Sequence, residues 1–270
     1  MRISYNNFAD LVAASATAPS TITAYPISNL KDERLSTTFR TSTLSNLIVA
    51  VDLGSAKTIT TAAILGHNFT STATVTFSGI QTYNLIASTE SILKFFDSTA
   101  YNDFITTEAE DFITTEAGDY LITGTSNTTV RYCFFEITDA SNPDGYLEFA
   151  RVWVGDYIDL SPSSLLDFKV IKKRSDVVMY GKDRHKFSIE GVGWRRIELS
   201  FPESENAMIE KISTMFDSVG KHSSVIFCNF DTIRDYQIVE PLYCSIVDDL
   251  TFTHSERLKM RYDLILEEDR

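Results

Sequence analysis

Cysteine is scarce in this chain: three residues in 270, at positions 133, 228 and 244. The count is odd, no CxxC spacing occurs, and all three sit in strand-like apolar contexts. A disulfide framework or a cysteine-based zinc site is therefore not expected, and the three are read as reduced core residues. None has a neighbouring base or helix start that would lower its pKa and make it reactive. Histidine is equally thin. His67, His185, His222 and His254 form no HExxH or HxH motif, so neither a metal site nor a cofactor is expected. GxSxG, GxxxxGK[ST] and GxGxxG are all missing, and the AVDLGSAK segment at 50–57 has only one glycine, too few to wrap a phosphate.

Positive charge is also in short supply, with 24 Lys and Arg against 37 Asp and Glu and a net charge of −13. Phosphate binding needs clustered cations that displace counterions, so no nucleic-acid partner is expected. Long apolar runs are missing as well. The stretches at 46–53 and 59–65 fall far short of the roughly 20 residues needed to cross a bilayer, and no basic-then-apolar leader opens the chain. The expectation is a soluble chain made without a secretory leader and without membrane insertion.

What remains is a composition able to bury a core, 43% hydrophobic, arranged mainly in β patterns. Leu47, Val49, Val51 and Leu53 alternate with Ile48, Ala50 and Asp52, and the β-branched and aromatic bias continues at 74–77, 130–137 and 146–160. Gly54, Gly66, Gly79 and the SNPDG stretch at 141–145 supply turns. The middle holds an octad repeat, DFITTEAE from Asp103, DFITTEAG from Asp111 and DYLITG from Asp119. An even period keeps Phe104, Phe112 and Tyr120 on one face of an extended chain. The repeat at about 103–124 is thus either a hairpin-like insertion or a duplicated acidic loop. SPSS at 161–164 reads as a boundary, separating residues 1–160 from residues 165–270.

The second half carries one helical stripe, Met208, Ile212, Met215, Phe216 and Val219, over about 205–219, with Gly220 to end it. Strands are expected at 187–189, 197–201, 224–230, 242–247 and 258–266. The run VIKKRSD at 170–176 is the one basic cluster and reads as a solvated turn. If it has a function, Lys172, Lys173 and Arg174 would form a protein interface, together with Trp194 and Arg196, residue types favoured in binding hot spots. The acidic pairs, Asp32 with Glu33, Asp248 with Asp249, and 267–269, read as solvated turns, because neighbours along a strand point to opposite faces and cannot act together on one bond.

Residues 27–41 (ISNLKDERLSTTFRT), the VDLG turn at 51–54, ILGHN at 64–68 and the segment at 131–155 together resemble a discoidin-like, galactose-binding-type jelly roll, in the version associated with tailed-phage tail proteins. The resemblance implies a β-sandwich over 1–160 whose end loops can bind sugars, and it places Asn29, Asp32, Arg34, His67, Asn68, Asn142 and Asp144 in candidate ligand loops. It also raises a structural calcium, toward which Asn29, Asp32 and Glu33 could donate, although an exposed turn explains them equally well. From WRRIELSFP at 194 to YDLILEEDR at the end, the order of elements resembles phage minor or distal tail proteins, implying a tail-tube-like β domain with one packing helix.

The resulting expectation is a mainly β, non-enzymatic tail-tip or baseplate component of a long-tailed phage. It would be assembled in the host cytoplasm, localised to the virion, and would form a homo-oligomeric ring in contact with other tail proteins. The alternative is a carbohydrate-binding adhesin that touches a host-surface glycan through the jelly roll. A polysaccharide depolymerase ranks last, for want of an acid and base.

Overall fold

A computed structural model describes residues 2–10, 15–18, 20–78, 82–84, 86–87, 91–95, 102–104, 122–125, 129–160, 167–180, 186–204, 206–231, 236–256 and 259–269. The chain divides into two units, Asn6–Tyr157 and Met1–Tyr5 with Ile158–Arg270. This division differs from a cut at 160 in two respects: the first five residues join the C-terminal unit, and so do residues 158–160.

After β1 (Arg2–Asn7), the first unit runs through β2 (Ser15–Thr17), β3 (Phe39–Thr41), β4 (Leu47–Thr58), β5 (Thr61–His67), β6 (Thr74–Ser78), β7 (Thr82–Asn84), β8 (Ile86–Ala87) and β9 (Ser91–Phe95). It continues with β10 (Asn102–Phe104), β11 (Ile122–Thr125), β12 (Thr129–Thr138) and β13 (Leu147–Asp159). One sheet is ordered β2-β4-β12-β6-β7. In the other, β13 lies between β3 and β5, and β9 and β8 follow. All of the pairings are antiparallel.

The two sheets enclose one core. The period-2 pattern of β4 buries Leu47, Val49, Val51 and Leu53. Cys133, Phe135 and Ile137 of β12 and Phe149, Val152 and Val154 of β13 join them, each large side chain worth about 1.5–3 kcal/mol of transfer free energy. Phe39 meets Phe149 edge-on at 5.1 Å, and Phe77 lies 5.1 Å from Phe135. Cys133 is a buried thiol whose pKa burial pushes up to about 12, in keeping with a structural role.

Asn7 acts as a bracket on β13. Its side-chain amide donates to the Val152 carbonyl and its Oδ1 accepts from the Val154 N–H, each at 3.0 Å. At the octad repeat, β10 and β11 pair (Asn102 with Thr125, Phe104 with Ile122), so the ends of the repeat are antiparallel partners. The repeat's interior, including Phe112 and Tyr120, and the 161–164 boundary lie outside the described residues.

The second unit adds β14 (Asp167–Arg174), β15 (Val177–Tyr180), β16 (Lys186–Ile189), β17 (Gly193–Ser204), α1 (Asn206–Val219), β18 (Ser224–Asp231), β19 (Tyr236–Ile246), β20 (Phe252–Glu256) and β21 (Lys259–Glu268). Its sheet runs β14-β17-β21-β19-β18-β1, with β20 also on β21. Arg2, Ile3 and Ser4 pair with Cys228, Phe227 and Ile226, which is why the N-terminus belongs here. The helix buries Ile212, Met215 and Val219 among Ile197, Leu199, Phe201, Leu264 and Leu266. It ends at Gly220, whose φ of +58° is the left-handed stop that glycine supplies.

Two expectations are corrected. The basic run is not a turn: 170–174 lie in β14, paired rung by rung with β17. Glu267 and Glu268 are likewise strand residues of β21, since alternating faces let each meet a cation.

Gly155 sits where β13 passes the backbone of Asn6, and an added methyl would lie 2.1 Å from the Asn6 carbonyl oxygen. Gly155→Ala is therefore expected to lower unfolding free energy by about 1–3 kcal/mol through overpacking against immovable backbone. Urea denaturation measures this, and an unchanged midpoint would refute the close approach.

Candidate functional site

The loops at one end of the sandwich are tied together from their own side chains. Asp139, buried at the end of β12, accepts from the Thr70 N–H (2.8 Å), the Thr70 hydroxyl (2.6 Å) and the Asn142 amide (3.0 Å). Asn142 also donates to the Asn68 carbonyl at 3.1 Å, and its Oδ1 accepts from the Asp144 N–H at 3.0 Å. Asn68 then donates to Asp144 Oδ2 (2.9 Å) and to the Tyr146 carbonyl (3.1 Å), while its Oδ1 accepts from the Glu148 N–H (2.8 Å). The 68–73 and 139–146 loops are thereby held rigid on β13, since each bond satisfies a polar group that would cost about 1–3 kcal/mol if stranded on burial. His67 accepts from the Phe69 N–H and stacks on its ring at 4.6 Å.

Of the expected ligand residues, the structure thus brings His67, Asn68, Asn142 and Asp144 together, and it employs the last three in joining loops. The other three stand in the 27–38 loop. Asn29 donates to the Thr38 carbonyl at 2.7 Å. Asp32 is engaged by Arg34 through its backbone N–H and guanidinium, at 2.6–3.0 Å. Those bonds hold the Asp32 carboxyl well below the usual carboxylate range. Among the described residues no group of three or more His, Cys, Asp and Glu could hold a metal ion.

A second constellation went unnoticed in the sequence. Residues 22–25 make a tight turn laid on β3, with Tyr25 N–H donating to the Ile22 carbonyl and Arg40 N–H to the Tyr25 carbonyl. This places the Arg40 guanidinium 3.9 Å from the centroid of Tyr25 and 4.9 Å from that of Tyr146. Arg40 is in register with Glu148 across β3 and β13 and forms an ion pair with it at 2.5 Å, the side chains being 27% and 19% exposed. Burial opposes the Arg40 charge, but Glu148 and the tyrosines outweigh it, and its pKa is raised. The result is a half-exposed, charge-balanced strip of two aromatic rings, a planar donor and a carboxylate. The available signal was that Arg40 and Glu148 occupy the outward positions beside core Phe39 and Phe149, but it becomes legible only once β3 and β13 are known to pair.

Of the expected interface residues, Lys173, Trp194 and Arg196 share one face of the β14–β17 pair in the other unit, and Lys172 and Arg174 lie on the opposite face. Lys173 is paired with Trp194 and Ile171 with Arg196. Lys173 meets Glu267 at 2.7 Å, and Arg196 meets Glu267, Glu198 and Asp248 at 3.2, 3.1 and 3.7 Å. Lys173 and Arg196 lower the Glu267 pKa. Arg174 pairs with Asp176 and Glu190, and Lys172 is exposed.

No protein-family model and no curated protein matches the chain. Among solved structures, the chain is similar to the family 32 carbohydrate-binding module of C. perfringens NanJ in complex with galactose (13% identity, covering 58% of this chain and 100% of that one, TM-score 0.37). It is also similar to the lectin binding domain of Lectinolysin, a His 62 mutant complexed with Lewis b (14%, 56% and 95%, TM-score 0.36). A third is the CBM32 of AlyQ in complex with 4,5-unsaturated mannuronic acid (17%, 56% and 96%, TM-score 0.32).

One carboxyl stands out for its chemistry. Asp10 is raised to about 6, chiefly by desolvation, against the lowering effects of Arg151, to which it is ion-paired, and of Asn7. A carboxyl with a raised folded pKa binds more protons folded than unfolded, so its contribution to stability is fullest below about pH 4 and declines as pH rises toward 6. Compared with Asp10→Asn, the native chain should lose up to about 3 kcal/mol across that window. Urea midpoints measured against pH test this, and a stability difference that rises with pH would contradict it.

Proposed function

We propose that the Asn6–Tyr157 sandwich is a non-enzymatic carbohydrate-binding module that holds a sugar at Tyr25, Arg40, Tyr146 and Glu148. The observation that carries this reading is the guanidinium beside two tyrosines, in register with a carboxylate, on the paired strands β3 and β13 and the turns next to them. A pyranose offers an apolar C–H face and rows of hydroxyls. Aromatic rings meet the first, and an Arg–carboxylate pair donates to and accepts from the second. Because the loop-joining bonds of Asn68, Asn142 and Asp139 are made within the protein, little ordering entropy is left for the ligand to supply. The Arg40 charge is balanced by Glu148, so the fitting ligand is a neutral sugar; a uronic acid would bring its carboxylate beside Glu148.

A second reading concerns the other unit. In it the ring-forming tail-tip or baseplate role would be carried by this unit. The feature that favours this reading is an antiparallel sheet whose last strand among the described residues, β14, carries an outer edge for a neighbour to pair with or cover. Mass spectra of intact virions test it, and absence from every such particle would end it.

For the sugar site, a glycan array probed with the full chain is expected to show binding to neutral glycans. Arg40→Ala and Tyr25→Ala are each expected to weaken it by about tenfold or more with far-UV circular dichroism unchanged. Undiminished binding by both variants, or silence of the native chain across a broad panel, would defeat the reading.

A further inference from the structure

The outer face of the β2-β4-β12-β6-β7 sheet carries the chemistry of the Tyr25–Arg40 strip a second time. Arg131 of β12 donates from Nε and Nη2 to the two carboxylate oxygens of Asp52 on β4, at 2.8 and 2.9 Å. Its guanidinium lies 5.0 Å from the centroid of the Tyr132 ring. The β4–β12 register shifts between Val130 and Tyr132, an irregularity that lets the consecutive residues 131 and 132 both reach solvent. Asp52 also accepts from the Gly54 N–H at 2.8 Å, and Arg131 and Gly54 together hold its carboxyl below the usual carboxylate range. The pair therefore stays charged and balanced at neutral pH.

Cys133, Phe135 and Ile137 alternate into the core, so Tyr132, Phe134 and Glu136 face outward. In register beside them on β4 stand Asp52, Ala50 and Ile48. Tyr132, Phe134 and Ile48 are 52%, 38% and 46% exposed, and Ile48 is the diagonal neighbour of Phe134, within reach of its ring. Two aromatic rings, an aliphatic side chain and a planar ion pair thus form one exposed patch. Arg40 and Glu148 look out from the opposite sheet, beside core Phe39 and Phe149, so the two constellations lie on opposite sides of the sandwich.

Size and charge say what fits the patch. Its three rungs span about 14 Å along two strands about 5 Å apart, an area on the order of 100 Å². A stable protein interface needs about 800 Å² from each partner, so the patch suits a short stretch of glycan and not a second copy of the chain. A protein laid here would also strip water from the Arg131–Asp52 pair, a cost that the attraction within the pair does not reliably repay. Sugar hydroxyls instead donate to the carboxylate and accept from the guanidinium, while the C–H face of the ring meets Tyr132 and Phe134. Glu136, exposed on the same face, disfavours an anionic polymer.

We infer that Tyr132, Phe134, Arg131 and Asp52 form a second site for neutral glycans, which lets the sandwich hold two chains at once, one on each side. This rests on the recognition chemistry proposed for the Tyr25–Arg40 strip but uses none of its residues. Native gels cast with a neutral galactan, mannan or glucan are expected to retard the full chain. Arg40→Ala, and Tyr132→Ala combined with Phe134→Ala, should each remain retarded with apparent affinity about tenfold lower, because each loses one of two linked contacts. Only the variant carrying all three substitutions should run free, with far-UV circular dichroism unchanged. The native chain should also cross-link dissolved polymer and raise its turbidity, which either single-site variant should fail to do. Retardation abolished by Arg40→Ala alone leaves the strip as the one site and overturns the second. Cross-linking undiminished by Tyr132→Ala with Phe134→Ala, or no retardation by any of the polymers, overturns it too. So does a dimer in sedimentation velocity that this double substitution dissolves, which would assign the face to a second copy.

Discussion

The register of strand β13 is the constraint on which the sandwich depends. Phe149, Val152 and Val154 of the strand lie in the core. Glu148 meets Arg40, Arg151 meets Asp10, and Gly155 lies against Asn6. Residues 149–155 are all buried, so a slip of one residue would misplace packed side chains on both faces of the strand at once. Two partners and a bracket prevent it: β3 and β5 pair with β13, and Asn7 clamps the backbone at Val152 and Val154. The strip of Arg40, Glu148 and Tyr146 is therefore set by the same hydrogen bonds that close the core, and it needs no separate scaffold.

In the other unit a sheet face takes the place of the second sheet. Helix α1 covers one side, and the opposite side of β14, β17 and β21 is laced with charges in register, Lys173 and Arg196 around Glu267. Where charge reaches the covered side, it is paired: Arg195 bonds both carboxylate oxygens of Glu268, whose side chain is nearly buried. Breaking such a pair strands a charge in a poorly solvated place, which costs more than the pair itself contributes. The unit thus tolerates the cations of β14 and β17 without a basic face of its own.

Much of this was legible from periodicity. The alternation of Leu47, Val49, Val51 and Leu53, the stripe from Met208 to Val219 and the pattern of 258–266 each report which side of an element is buried, and each element formed where its pattern lies. Local pattern is silent on partners. Lys172, Lys173 and Arg174 read as a turn because three successive cations suit water, whereas in β14 they point alternately to two faces, and Glu267 neutralises one of them. The Tyr25–Arg40–Tyr146 strip was invisible for a related reason: Tyr146 is about a hundred residues from the other two and meets them only through the β3–β13 register. Asn68, Asn142 and Asp144 drew notice as polar loop residues, and their polarity is spent within the loops.

The two units divide charge in a way that bears on the proposed sugar site: residues 6–157 carry −10 of the chain's −13. Carboxylates around a balanced Arg–Glu pair would repel anionic polymers and favour neutral glycans. In the other unit the cations of β14 and β17 are largely neutralised in register, Lys173 and Arg196 by Glu267 and Arg195 by Glu268. Recognition of a neutral sugar at the strip would therefore rest on shape, stacking and hydrogen bonds, which persist in salt, rather than on long-range attraction, which does not.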